Sequence, residues 1–165
     1  MTTYLADQER TRRSAPVPAD EPQVRTRVPH ALEVSIERRP NPDSEGISRA
    51  DAAWPRRLRR IVRAGLTHWG QPKLVETAEL LVTELATNAL RHAQGRDIGV
   101  RVFFKGAQCV IEVSDGSPIC PKLRNAELDD EGGRGLFLVE CMAEAWGVSE
   151  DGTTTWCAIP TGVTP

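Results

Sequence analysis

At 165 residues, with 39% hydrophobic and 27% charged positions, the chain has the make-up of one ordinary globular domain, long enough to bury a core. A formal charge of −2 argues against a nucleic-acid-binding surface. No apolar run approaches a membrane span or the core of a signal peptide, so a cytoplasmic protein that engages neither nucleic acid nor membrane is expected.

Residues 1–30 mix Arg, Asp, Glu, Pro and Ser with few apolar positions, too few to offset their ordering entropy. They are expected to be a disordered tail, followed by one domain over 31–160 and a short tail over 161–165. Leu32, Val34 and Ile36 alternate with polar neighbours, the pattern of a short edge strand stopped by Pro40. Ser48 is suited to cap a helix that runs to about Trp69 and ends at Gly70. Pro55 either kinks that helix or sits at its true start near Trp54. The apolar stripe is Leu58, Ile61, Val62, Leu66 and Trp69. Arg56, Arg57, Arg59, Arg60 and Arg63 fill the other side, as a solvated basic face or a docking surface for an acidic partner.

Pro72 opens the next helix, where its missing N–H costs little. Over 79–93 the chain reads ELLVTELATNALRHA, and an apolar stripe that starts before it, at Leu74 and Ala78, continues through Leu81, Val82, Leu85 and Ala89 in core-facing spacing. A second stripe runs Glu84, Asn88, His92, each one turn above the last. A solvated face would carry long Lys and Glu pairs, and Asn costs helix propensity in mid-helix. Asn offers a neutral oxygen suited to a hard cation, and Glu one turn earlier can accept a proton or hold a water. The stripe is therefore either the polar side of a core helix or part of a site.

Two strands follow over 97–105 and 108–115, joined at Gly106. Val100, Val102 and Phe104 alternate inward on the first, and Cys109, Ile111 and Val113 on the second. The second ends in Asp115-Gly116-Ser117-Pro118, which is a turn or a carboxylate presented to a ligand's amino group. Residues 117–131 have no clear period and form a loop long enough to be a lid. Gly132-Gly133-Arg134-Gly135 then opens a helix with the stripe Leu136, Val139, Met142, Ala143 and Trp146, capped by Gly147. Exposed amides at such a helix start suit a phosphate. A hairpin closes the chain, with strands over 146–149 and 153–159 and a turn at Asp151-Gly152. Cys109, Cys120, Cys141 and Cys157 lack the spacing of a zinc site or a disulfide framework, and the two in strands read as small buried hydrophobes.

These pieces stand in one order, and together they resemble a family. TELATNALRHA resembles the N box, VSDGSP the first glycine box and EGGRGLFLVECMAEAWGV the second glycine box of the GHKL ATPase/kinase domains of histidine kinases, Hsp90 and gyrase B. Within that family the chain is most similar to the single-domain anti-sigma-factor serine/threonine kinases of actinobacteria. The resemblance implies an α/β two-layer sandwich (α+β), a mixed, mostly antiparallel sheet with helices on one face. It implies ATP and Mg²⁺ as cofactors, with Asn88 on the metal and Glu84 as general base. Asp115, followed by Gly116, would accept the adenine amino group, and Thr154 would lie near the adenine. Gly133, Arg134, Gly135 and Leu136 would line the phosphates.

The partners implied are a small anti-sigma-antagonist protein, which would be phosphorylated, and a sigma factor as a second candidate. A homodimer is common among such kinases. A histidine kinase is not expected, because no helical segment carries a phospho-acceptor histidine, and a gyrase-like or Hsp90-like ATPase would need further domains. One departure stands out: the family's DxGxG becomes Asp115-Gly116-Ser117-Pro118 here, which leaves a non-catalytic ATP/ADP switch as the alternative function.

Overall fold

The computed structural model describes residues 30–38, 47–93, 95–117 and 134–162. The tail expected before residue 30, the loop from 118 onward, Cys120 and Gly133 lie outside these residues. The described chain runs β1 (Ala31–Ile36), α1 (Trp54–His68), α2 (Val75–His92), β2 (Ile98–Lys105), β3 (Gln108–Ser114), α3 (Arg134–Met142), β4 (Ala145–Val148) and β5 (Thr154–Pro160).

The five strands form one sheet in the order β1-β2-β3-β5-β4. Every pairing is antiparallel among the described residues, in keeping with the mixed, mostly antiparallel sheet expected. Two of the four pairings, β2–β3 and β4–β5, are hairpins turned at Gly106 (φ 58°) and Gly152 (φ 77°), while β1–β2 and β3–β5 are joined through longer connections. The register sets Val34, Val100, Val113 and Thr155 in one row, and Leu32, Val102, Ile111 and Cys157 in the next. These rows face the helices, whose Leu58, Val62, Leu66, Leu81, Leu85, Leu136 and Val139 complete a single core with them. The α+β two-layer architecture is thus the expected one, with helices on one face.

The helices begin and end where local chemistry requires. The Ser48 hydroxyl accepts the Asp51 N–H at 3.0 Å, and one 3₁₀ turn leads into α1. Regular helix starts at Trp54 with Pro55 in its first turn, so the proline kinks nothing. At the other end Gly70 (φ 71°) donates to Thr67 O at 3.1 Å and Gln71 N–H to Leu66 O at 2.8 Å, a Schellman closure. Ile61, placed in the apolar stripe from the sequence, is 37% exposed instead, and the buried stripe of α1 is Leu58, Val62 and Leu66.

The region after α3 departs further from expectation. The helix stops at Met142, and Trp146 lies in β4, as the closing hairpin expected over 146–149 has it and not as the α3 stripe does. Gly147 is a strand residue without positive φ, so it caps nothing. The chain has already joined the sheet at Glu144, whose N–H donates to Ala158 O at 2.9 Å. Ladder bonds to β5 outweigh a helical spacing that is only coincidentally continued by Trp146.

Candidate functional site

The spine of the site is the polar stripe of α2. Glu84, Asn88 and His92 rise along it in steps of about 6 Å, because the buried set Leu81, Leu85 and Ala89 fixes the rotation of the helix against the core. Glu84 and Asn88 are half-buried, and His92 is exposed. Neither Glu84 nor Asn88 has a hydrogen-bond or ion-pair partner among the described residues. Half-buried carboxylates and carboxamides normally find partners, so the pair reads as donors and acceptors held for something else.

At the lower end of the stripe, α3 begins directly against Glu84. A Cβ added at Gly135 would stand 2.5 Å from Glu84 Oε2 and 3.6 Å from its Cδ. A side chain at position 135 would therefore push the Glu84 carboxylate aside, independently of any phosphate. Leu136 and Val139 anchor the helix in the core, so what Leu136 can offer a ligand is its backbone N–H. Arg134 opens α3, which brings the two boxes at Glu84–Asn88 and Arg134–Gly135 together in space.

At the upper end β3 delivers Asp115. Its N–H donates to Thr153 O at 3.0 Å, joining the turn to β5. The Ser117 N–H donates to Asp115 Oδ1 at 2.8 Å, and Gly116 (φ 62°) lets the chain turn between them. Desolvation pushes the Asp115 carboxyl above its ordinary range, opposed by the Ser117 N–H and by the positive charges of nearby His92 and Arg96. The stripe thus runs from the first turn of α3 at Glu84 to the Asp115 turn near His92.

Thr154 stands differently from the rest. It pairs with Ser114, and its side chain alternates to the sheet face away from the helices. Thr155, opposite Val113 and two residues before buried Cys157, faces the helical layer. The alternation of Cys157 and Ile159 carried that signal in the sequence. Arg96 was also passed over: its Nη1 donates to Gly116 O at 2.9 Å, a contact spanning 20 residues that no local pattern announces. Both strand cysteines are buried, with the Cys109 and Cys157 thiols each pushed up to about 12 by burial, as inert core residues are.

A two-layer α+β domain whose helical layer sets unpartnered Glu and Asn beside a glycine-opened helix start, with a turn-bound Asp at the sheet's end, has the layout of an ATP-binding domain. Residues 49–159, well over half the chain, match the family model of the histidine kinase-like ATPase domain, and the chain belongs to that family. No curated protein sequence matches it. ATP is the ligand that membership implies. Among the described residues no helix is long and apolar enough to cross a membrane.

Proposed function

We propose that the protein is an ATP- and Mg²⁺-dependent serine/threonine kinase of the anti-sigma-factor type, which phosphorylates a small antagonist protein and regulates transcription by partner switching. The observation that carries the reading is the Glu84–Asn88 pair, half-buried and without side-chain partners among the described residues, with the first turn of α3 against Glu84. Asn88 supplies a neutral hard oxygen that fits Mg²⁺ completed by phosphate and water, and Glu84 one turn earlier is left to accept a proton. The metal, when bound, supplies charge neutralisation on the phosphates.

The chain's own residues do the remainder. The amides opening α3, from Arg134, Gly135 and Leu136, orient phosphate oxygens, and Gly133 extends that run in the sequence. Asp115 uses Oδ1 for the Ser117 N–H and keeps Oδ2 for the adenine amino group, with Gly116 making the turn. Thr155, rather than Thr154, is the threonine on the side of the base. Glu84 takes the proton of a partner's serine or threonine hydroxyl as its oxygen attacks the γ-phosphorus and the bond to ADP breaks. Asn88→Ala is then expected to weaken Mg²⁺-ATP binding more than metal-free ATP binding. Equal losses by calorimetry would remove Asn88 from the metal.

A second reading, an ATP/ADP switch without turnover, is favoured by Ser117-Pro118 standing where the family's further glycine is expected. The deciding experiment recovers partner proteins from lysate with and without ATP. Transfer of the labelled γ-phosphate of ATP to the recovered protein is then measured. Transfer supports the kinase; nucleotide-dependent binding without transfer supports the switch.

A further inference from the structure

We propose that Arg96 is a positioning residue for the nucleotide base: by holding the Gly116 carbonyl it sets the Asp115 carboxylate to receive a purine that bears an amino group. The inference rests on the ATP-site reading above and assigns a role to a residue outside its three boxes. Arg96 lies in the short connection between α2 and β2, and that connection is fixed at both ends. The Arg96 N–H donates to Ala93 O at 2.9 Å, at the close of α2. The next residue, Asp97, accepts the Arg38 N–H at 2.9 Å through Oδ1. From this anchor the guanidinium reaches Gly116 O at 2.9 Å. Its Cδ passes 3.8 Å from where a Cβ at position 116 would stand, so the stem lies across the glycine.

Among the described residues three hydrogen bonds hold the Asp115 turn, and they differ in what they tie it to. The Asp115 N–H to Thr153 O bond ties it to the start of β5, and the Ser117 N–H to Asp115 Oδ1 bond is internal to the turn. Arg96 ties it to the end of α2, the helix that carries Glu84 and Asn88. It thus links the base end of the site to the helix that carries the phosphate end. Its positive charge also favours the ionised form of Asp115, the form that accepts best from an amino group. An exposed charged contact of this kind contributes little to the free chain, and it strengthens when a bound base excludes water.

The test uses the full chain and calorimetric affinities for ATP and for purine riboside triphosphate, which lacks the 6-amino group. Wild type, Arg96→Ala and Arg96→Lys are compared. Arg96→Ala is expected to weaken ATP by about three- to tenfold while the analogue changes by less than about twofold, so that discrimination shrinks. Arg96→Lys, which keeps a charged donor, should recover part of that discrimination. An unchanged ratio of ATP to analogue in Arg96→Ala, or an equal loss of both ligands, overturns the positioning role. Wild type that binds neither ligand, or both equally, overturns the underlying assignment of the site or of Asp115 and takes this inference with it.

Discussion

Asp115 sits half-buried at the end of β3, where folding and ligand binding ask opposite things of its charge. Lost hydration raises its carboxyl above the ordinary range, and the Ser117 N–H with the charges of His92 and Arg96 only partly restores it. A folded-state value above the unfolded one means that the native chain holds the proton more tightly. The contribution of this group to stability is therefore fully present below the unfolded pKa and is lost as pH rises through the folded one. ATP binding runs the other way, since the carboxylate is the better acceptor for an amino group. Asp115→Asn keeps an oxygen for the Ser117 N–H and removes the ionisation. It should remove this component of the pH dependence and raise the melting temperature of the free chain at neutral pH. ATP affinity should fall by about tenfold or more, and discrimination against GTP should shrink. Melts from acid to neutral pH and nucleotide titrations check both halves; an unchanged ATP/GTP ratio would sink the assignment.

Elements were readable where one physical pattern governed them, and misread where two overlapped. Alternation fixed the inward rows Val100, Val102 and Ile111, Val113, and Gly70 marked the end of α1, whereas Ser48 caps only the 3₁₀ turn that precedes the regular helix at Trp54. The α2 stripe was legible because a period of four is visible in the sequence. Its neighbours were not: the closeness of Gly135 to Glu84 and the bond from Arg96 to Gly116 depend on how separate elements pack. The end of α3 failed because Trp146-Gly147 fits a helix stripe with a cap equally well as a strand. In the sheet Gly147 lies under Trp156, and a Cβ there would come within 3.1 Å of the indole. Gly147→Val should therefore cost about 1–3 kcal/mol through overpacking, despite the better strand propensity of valine. Urea unfolding measures it, and an unmoved or higher midpoint would count against that packing.

At the scale of the molecule the site is assembled from both ends of the chain's middle: α2 provides the spine, the β3 turn one end and α3 the other. A ligand bridging these elements binds only the folded state, so it must stabilise the whole domain. Mg²⁺-ATP at about a hundred times its dissociation constant adds about 2.7 kcal/mol, readable as a rise in melting temperature. That rise supplies a binding readout independent of turnover, and Glu84→Ala is the variant that separates the two. Glu84 has no hydrogen-bond or ion-pair partner among the described residues, and its carboxylate tip lies against Gly135. Its removal leaves no orphaned partner and opens space at the start of α3, so the fold and the ATP-induced rise should persist. A general base acts in the transition state, and its loss falls on turnover by roughly 10²–10⁴-fold with little effect on binding. Full ATP stabilisation with phosphate transfer to the recovered partner reduced to that extent is the expected result. If the ATP-induced rise collapses together with transfer, Glu84 holds the metal or its water instead of the proton. Transfer at the wild-type rate would leave Glu84 with no part in the chemistry and return the base to be sought elsewhere around Asn88.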